Sequence, residues 1–60
     1  MEIGDTEIQE AYAAKKGYDV SATKNNKGNT ATYYGYDGNE IATISDETAA
    51  KFLAEEKALN

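Results

Sequence analysis

The chain reads as an α+β domain in the order α-β-β-β-α, a three-stranded antiparallel meander with two helices packed on one face. Three observations predict this. Apolar residues recur at helical spacing near both ends of the chain. Alternating residues rich in Thr and Tyr fill the middle. Asp37-Gly38, a strong short-range hairpin signal, separates two of the strand-like runs. At 60 residues the chain is one domain, residues 1–60, with a thin core.

The first helix is expected to begin at Asp5 or Thr6. Thr6 and Gln9 have the spacing of a capping box, in which each side chain satisfies an orphan backbone N–H. Glu7 and Glu10 lie near the positive end of the helix dipole. Ile8, Ala11 and Tyr12 share a face. Lys15 and Lys16 close the last turn, and Gly17 supplies a left-handed terminator. The last helix is expected from Ser45 or Asp46, with Asp46 and Glu47 in its first turn. Ala49, Phe52, Leu53 and Leu59 form its inward stripe, and Glu47, Lys51 and Glu55 form a ladder on its flank.

Three strands are expected between the helices: Tyr18 to Lys24, Thr30 to Tyr36 and Glu40 to Ser45, with turns at Asn25 to Gly28 and at Asp37-Gly38. A two-residue type I′ loop at Asp37-Gly38 pairs Tyr36 with Asn39, Tyr34 with Ile41 and Tyr33 with Ala42. A four-residue loop at Asn25 to Gly28 pairs Val20 with Tyr33 and Ala22 with Ala31. Both turns then agree on one apolar face, built around Tyr18, Val20, Ala31, Tyr33 and Ile44, which the helices should cover. A three-residue loop that includes Asn39 would break this agreement. Tyr34, Tyr36, Ile41 and Thr43 fall on the opposite face.

Composition removes most chemistry. The chain has 11 carboxylates and 6 lysines, a net charge of -5, and no arginine, histidine, cysteine or proline. Without His or Cys there is no zinc site, no thiol nucleophile and no imidazole base. Ser21 and Ser45 have no recognisable activating partner, and Ser45 reads more simply as a helix cap. Asp46-Glu47 and Glu55-Glu56 are adjacent on a helix and do not face each other as a catalytic pair would. Asp37-Gly38-Asn39-Glu40 lacks calcium-loop spacing and reads as a turn. A non-enzyme without cofactor or metal is expected. There is no apolar run of the roughly 20 residues that cross a bilayer, and no signal-peptide pattern, so a soluble intracellular protein is expected.

Two surface features remain. Tyr34, Tyr36 and Ile41 would expose aromatic rings if nothing covers their face; they either brace a thin sheet or contact a protein partner. The carboxylates Glu7, Glu10, Asp37, Glu40, Glu47, Glu55 and Glu56 are either solubility charge or a rigid imitation of phosphates that a basic groove would attract.

The run Tyr36-Asp37-Gly38-Asn39-Glu40-Ile41, followed by Ile44-Ser45-Asp46-Glu47 and Phe52, resembles a phage anti-CRISPR protein that also runs helix, three strands, helix. The resemblance implies a small acidic inhibitor that occupies the DNA-binding surface of a Cas effector in the cytoplasm of an infected bacterial host. It implies partner contacts through Asp37, Asn39 and Glu40, with no direct binding of nucleic acid or membrane; a monomer is expected. Glu7, Glu10, Glu47, Glu55, Tyr34 and Tyr36 complete the expected contact set. The alternative is a protein–protein adaptor or homodimer that uses the Tyr34/Tyr36/Ile41 face. The element order and the segment Glu47 to Leu59 also look like the double-stranded-RNA-binding domain. Where that family places phosphate-clamping lysines, this chain has Asp46, Glu47 and Thr48, which would repel a phosphate backbone.

Overall fold

A computed structural model describes residues 4–59, with side chains described as far as residue 57. Helix α1 (Thr6–Lys16) leads through a 3₁₀ turn (Val20–Ala22) to strands β1 (Lys24–Asn26), β2 (Thr30–Tyr34) and β3 (Glu40–Ser45), and β3 runs directly into helix α2 (Asp46–Leu59). The strands form an antiparallel sheet in the order β1-β2-β3. The α-β-β-β-α order and the α+β class are those expected from the sequence.

Asp5 caps α1, its carboxylate accepting from the backbone N–H of Ile8. The expected Thr6–Gln9 capping box does not form. Asp5 is a better cap than Thr, and Gln9 is drawn fully into the core. Thr6 Oγ1 instead accepts from Asn25 Nδ2 at 2.7 Å. Gly17 ends the helix at φ 80, as its position predicted. Ser45 Oγ accepts from Thr48 N at 3.1 Å and so caps α2, with Asp46 and Glu47 in the first turn. Leu59 lies outside the described side chains.

The first strand is the largest departure. Residues 18–23 make a single ladder-like bond, from Asp19 N to Tyr34 O, before Val20–Ala22 turn into 3₁₀ geometry. Ser21 Oγ donates to Asp19 Oδ1 at 2.8 Å, and the N–H of Ala22 bonds to Asp19 O. Asp and Ser so close together offer the backbone local partners that compete with a sheet. Pairing resumes three residues late: Asn25, not Ala22, stands opposite Ala31. The turn moves with it. Lys27, Gly28 and Asn29 make the connection, with Gly28 at φ 83 and Asn29 at φ 57, and Asn tolerates the left-handed region better than most residues.

The second hairpin departs and recovers. Gly35 N donates to Asn39 O and Gly38 N to Gly35 O, both at 2.9 Å, so Tyr36, Asp37 and Gly38 form a three-residue loop with Gly38 alone at positive φ. A type I′ turn would require Asp37 there too. The longer loop slips the register by one, and Glu40, not Ile41, stands opposite Tyr34. A β-bulge that follows takes up the slip. From Tyr33↔Ala42 to Thr30↔Ser45 the pairs are those expected.

The core is therefore the predicted one by face. Tyr12 and Ala13 from α1, Ala31 and Tyr33 from β2 and Ala49 from α2 are buried, with Ile8, Tyr18, Val20, Ile44 and Phe52 packed around them. Ala11 is exposed. Four rings do most of the filling: Tyr12 lies 5.1 Å from Tyr33 and 5.1 Å from Phe52, and Tyr18 lies 5.5 Å from Tyr33. The helices run alongside each other in the same sense. Asp5 meets Asp46 at one end, Tyr12 meets Phe52 midway, and Lys16 Nζ lies 5.3 Å from the Phe52 ring centre.

Candidate binding surface

The shared direction of the helices brings both N-termini together. Asp46 Oδ2 accepts from the backbone N–H of Asp5 at 2.9 Å, and its Oδ1 accepts from Gln9 Nε2 at 2.6 Å. Gln9 Nε2 also donates to Ile44 O at 3.2 Å, and the Tyr33 hydroxyl donates to Gln9 Oε1. A chain of polar groups thus crosses the core from Tyr33 to the start of α1. Burial pushes the Tyr33 phenol up to about 12, with smaller contributions from Tyr12, Asp46 and Tyr18, because a phenolate there would lose its hydration. The sequence reading missed this network. Its one legible signal was a Gln on the apolar side of α1 among Ile8, Tyr12 and Ala13.

Asp46 is half-buried and committed to these bonds. Its carboxylate serves the fold. Ser45, Asp46 and Glu47 border a shallow open depression with Gly28 and Asn29.

The expected contact residues separate into two groups. Glu7 and Glu10 are exposed on α1, and Glu47 is exposed at the start of α2. Asp37, Asn39 and Glu40 are exposed at the tip of the β2–β3 hairpin. Strand β3 runs from Glu40 to the start of α2, so the two groups stand at opposite ends of a strand roughly 17 Å long. Glu55 is exposed further along α2, and Glu56 beside it is partly buried. Among lysines, Lys15 and Lys16 close the far end of α1, while Lys27 lies in the β1–β2 connection near the acidic end.

At the hairpin tip, Asp37 and Asn39 are tied to each other. The backbone N–H of Asn39 donates to Asp37 Oδ1 at 3.0 Å, and Asn39 Nδ2 donates to Oδ2 at 3.1 Å. These bonds, the backbone one first, hold the Asp37 carboxyl below its ordinary range. Tyr36, beside it, is 79% exposed. Tyr34 is half-buried, and Ile41 is 46% exposed. The bulge takes Ile41 out of the pairing that would have set it across from Tyr34. Glu40 stands opposite Tyr34 instead, and Tyr36 and Ile41 remain the large apolar side chains exposed among the described residues. The rest of the open sheet face is polar: Asn26 Nδ2 donates to Thr32 Oγ1 at 2.8 Å, and Thr32 and Thr43 share a hydroxyl bond at 3.0 Å.

Among the described residues, no group of three or more His, Cys, Asp or Glu could hold a metal ion, and no helix is long and apolar enough to cross a membrane. No family model, curated relative or solved structure matches the chain.

Proposed function

We propose that this chain is a non-enzymatic inhibitor of the anti-CRISPR type, which binds a Cas effector by presenting carboxylates to its basic nucleic-acid-binding surface. The hairpin tip carries the reading. It projects an exposed ring, Tyr36, between the ends of two strands, with Asp37 and Glu40 beside it and the Asp37 carboxylate kept ionised by Asn39. An aromatic anchor flanked by fixed charge is a common arrangement at interface hot spots. The second group, around Glu7, Glu10 and Glu47, lies at a distance of about five base-pair steps of duplex, so one basic groove could engage both.

The test is association with purified Cas effectors at rising salt. Affinity should fall steadily with salt, and DNA should compete. Glu40→Lys is the informative charge reversal and should weaken binding on the order of tenfold. Asp37→Lys is a poorer probe, since it also removes the bonds that shape the loop. No association with any effector tested, or association indifferent to salt, overturns the proposal. Salt-indifferent binding to another protein that is lost in Tyr36→Ala would instead support the adaptor reading.

A further inference from the structure

We propose that Asp37-Gly38 is a latent aspartate-isomerisation site, held closed by the hydrogen bonds that Asn39 and Gly35 make to its two reacting groups. The reaction needs the backbone nitrogen of the following residue to attack the side-chain carboxyl carbon. Of the Asp and Asn residues in the chain, only Asp37 is followed by glycine, which offers the least hindered nitrogen; Asp5, Asp19 and Asp46 are followed by Thr6, Val20 and Glu47. The pair also sits in an exposed loop, where water has access.

Both reacting groups are occupied. The Gly38 N–H, which must give up its proton to attack, donates to Gly35 O at 2.9 Å. The carboxylate oxygens of Asp37 are held by Asn39 N and Asn39 Nδ2. Ring closure expels a hydroxyl from the protonated carboxyl, and the lowered proton affinity of Asp37 keeps that form scarce. Gly35 belongs to the same arrangement. A Cβ there would come within 2.9 Å of Asp37 Oδ1, so any other residue would make the carboxylate shift from this place.

When the loop opens, Gly38 N bonds to the Asp37 side-chain carbon and one water leaves, giving a cyclic imide. Water then adds back. Cleavage between Gly38 N and the side-chain carbon restores aspartate. Cleavage between Gly38 N and the main-chain carbonyl carbon gives isoaspartate, which adds a methylene to the backbone. No oxidant or reductant is needed. The product cannot keep the Gly38–Gly35 bond in its present geometry, so it would displace Tyr36 and Asp37 together, whatever partner the hairpin meets.

The experiment incubates the folded protein, the urea-unfolded protein and folded Asn39→Ala side by side. Isoaspartyl peptides are then separated by retention and identified by mass spectrometry. The unfolded chain should form isoaspartate at Asp37 about tenfold faster than the folded one, or more. Asn39→Ala should raise the folded rate about two- to tenfold through loss of its side-chain bond. Equal rates in folded and unfolded wild type, or a wild-type rate in folded Asn39→Ala, overturn the proposal. Should Asn39→Ala fail to fold, hydrogen exchange of the wild-type Gly38 amide decides: protection supports the closed site, and exchange as fast as in an unfolded peptide overturns it.

Discussion

Tyr33 and Gln9 show how much rests on single side chains in so small a core. Both are fully buried, and each satisfies the other: the hydroxyl has Gln9 Oε1, and the amide has Ile44 O and Asp46. Removing the hydroxyl leaves Gln9 Oε1 buried without that partner, and removing Gln9 leaves the hydroxyl without it; either costs about 1–3 kcal/mol. Tyr33→Phe should therefore lower the urea midpoint near neutral pH. The same substitution should act the other way in alkali. The folded phenol titrates near 12 against an ordinary value of 10.0. Its protonated form is favoured by folding, so this contribution is fully present below pH 10 and is lost as pH rises towards 12. Wild type should lose stability across that window, and Tyr33→Phe should lose less. A parallel decline in both proteins would show that the phenol is not the group responsible. Little of this was legible in the sequence beyond the place of Gln9 on the apolar side of α1. Gln9 reads equally well as a capping-box partner, and what decides against that role is a hydroxyl 24 residues away.

Among the elements, both helices and β3 fall where local chemistry placed them. Gly17 takes the left-handed conformation, Ser45 caps α2, and Glu40–Ser45 is the strand expected. The α1 cap differs by one residue, and this is testable. Asp5→Ala should cost about 1 kcal/mol in a denaturant titration, because it removes the carboxylate that accepts from the Ile8 N–H. No loss in Asp5→Ala would show that Asp5 is not the cap. The first strand was misread for a physical reason. Its alternation from Tyr18 to Lys24 is that of a half-buried strand, yet Asp19 and Ser21 bond locally and turn the chain. Tyr18 and Val20 still pack on the core, so the pattern reported their burial correctly and their backbone wrongly. The second hairpin misled less, because its longer loop and the bulge cancel.

For the whole molecule, charge is the dominant fact. A net charge of -5 on 60 residues sets like charges against one another in the compact state. The described carboxylates outside the hydrogen-bonded network include Glu7, Glu10, Glu40, Glu47 and Glu55, all exposed. Screening should relieve that repulsion: moderate salt should raise the urea midpoint by an amount equivalent to about 0.5–1 kcal/mol. A fall with salt would mean that the favourable pairs outweigh the repulsive ones. The same salt should weaken partner binding under the proposed function, so the two measurements move in opposite directions. The expected contact residues are all at the surface except Tyr34, which is half-buried. Their division between two ends of β3 could not be read from the chain, since it depends on which way the strands and helices run.

What the sequence by itself determined are the properties set by neighbours: the stop of α1 at Gly17, the Ser45 cap of α2, the acidic composition without arginine, histidine or cysteine, and the apolar side of each helix. Each follows from side chains within a turn or two of one another, or from counting. The tertiary structure alone decided that Gln9 and Asp46 turn inward, that Asn25 replaces Ala22 opposite Ala31, and that Asp5 meets Asp46 where the two helices start. Those outcomes depend on partners far apart in the chain. A buried polar group takes whichever partner the packed fold brings within reach, because leaving it without one costs more than giving up a local bond.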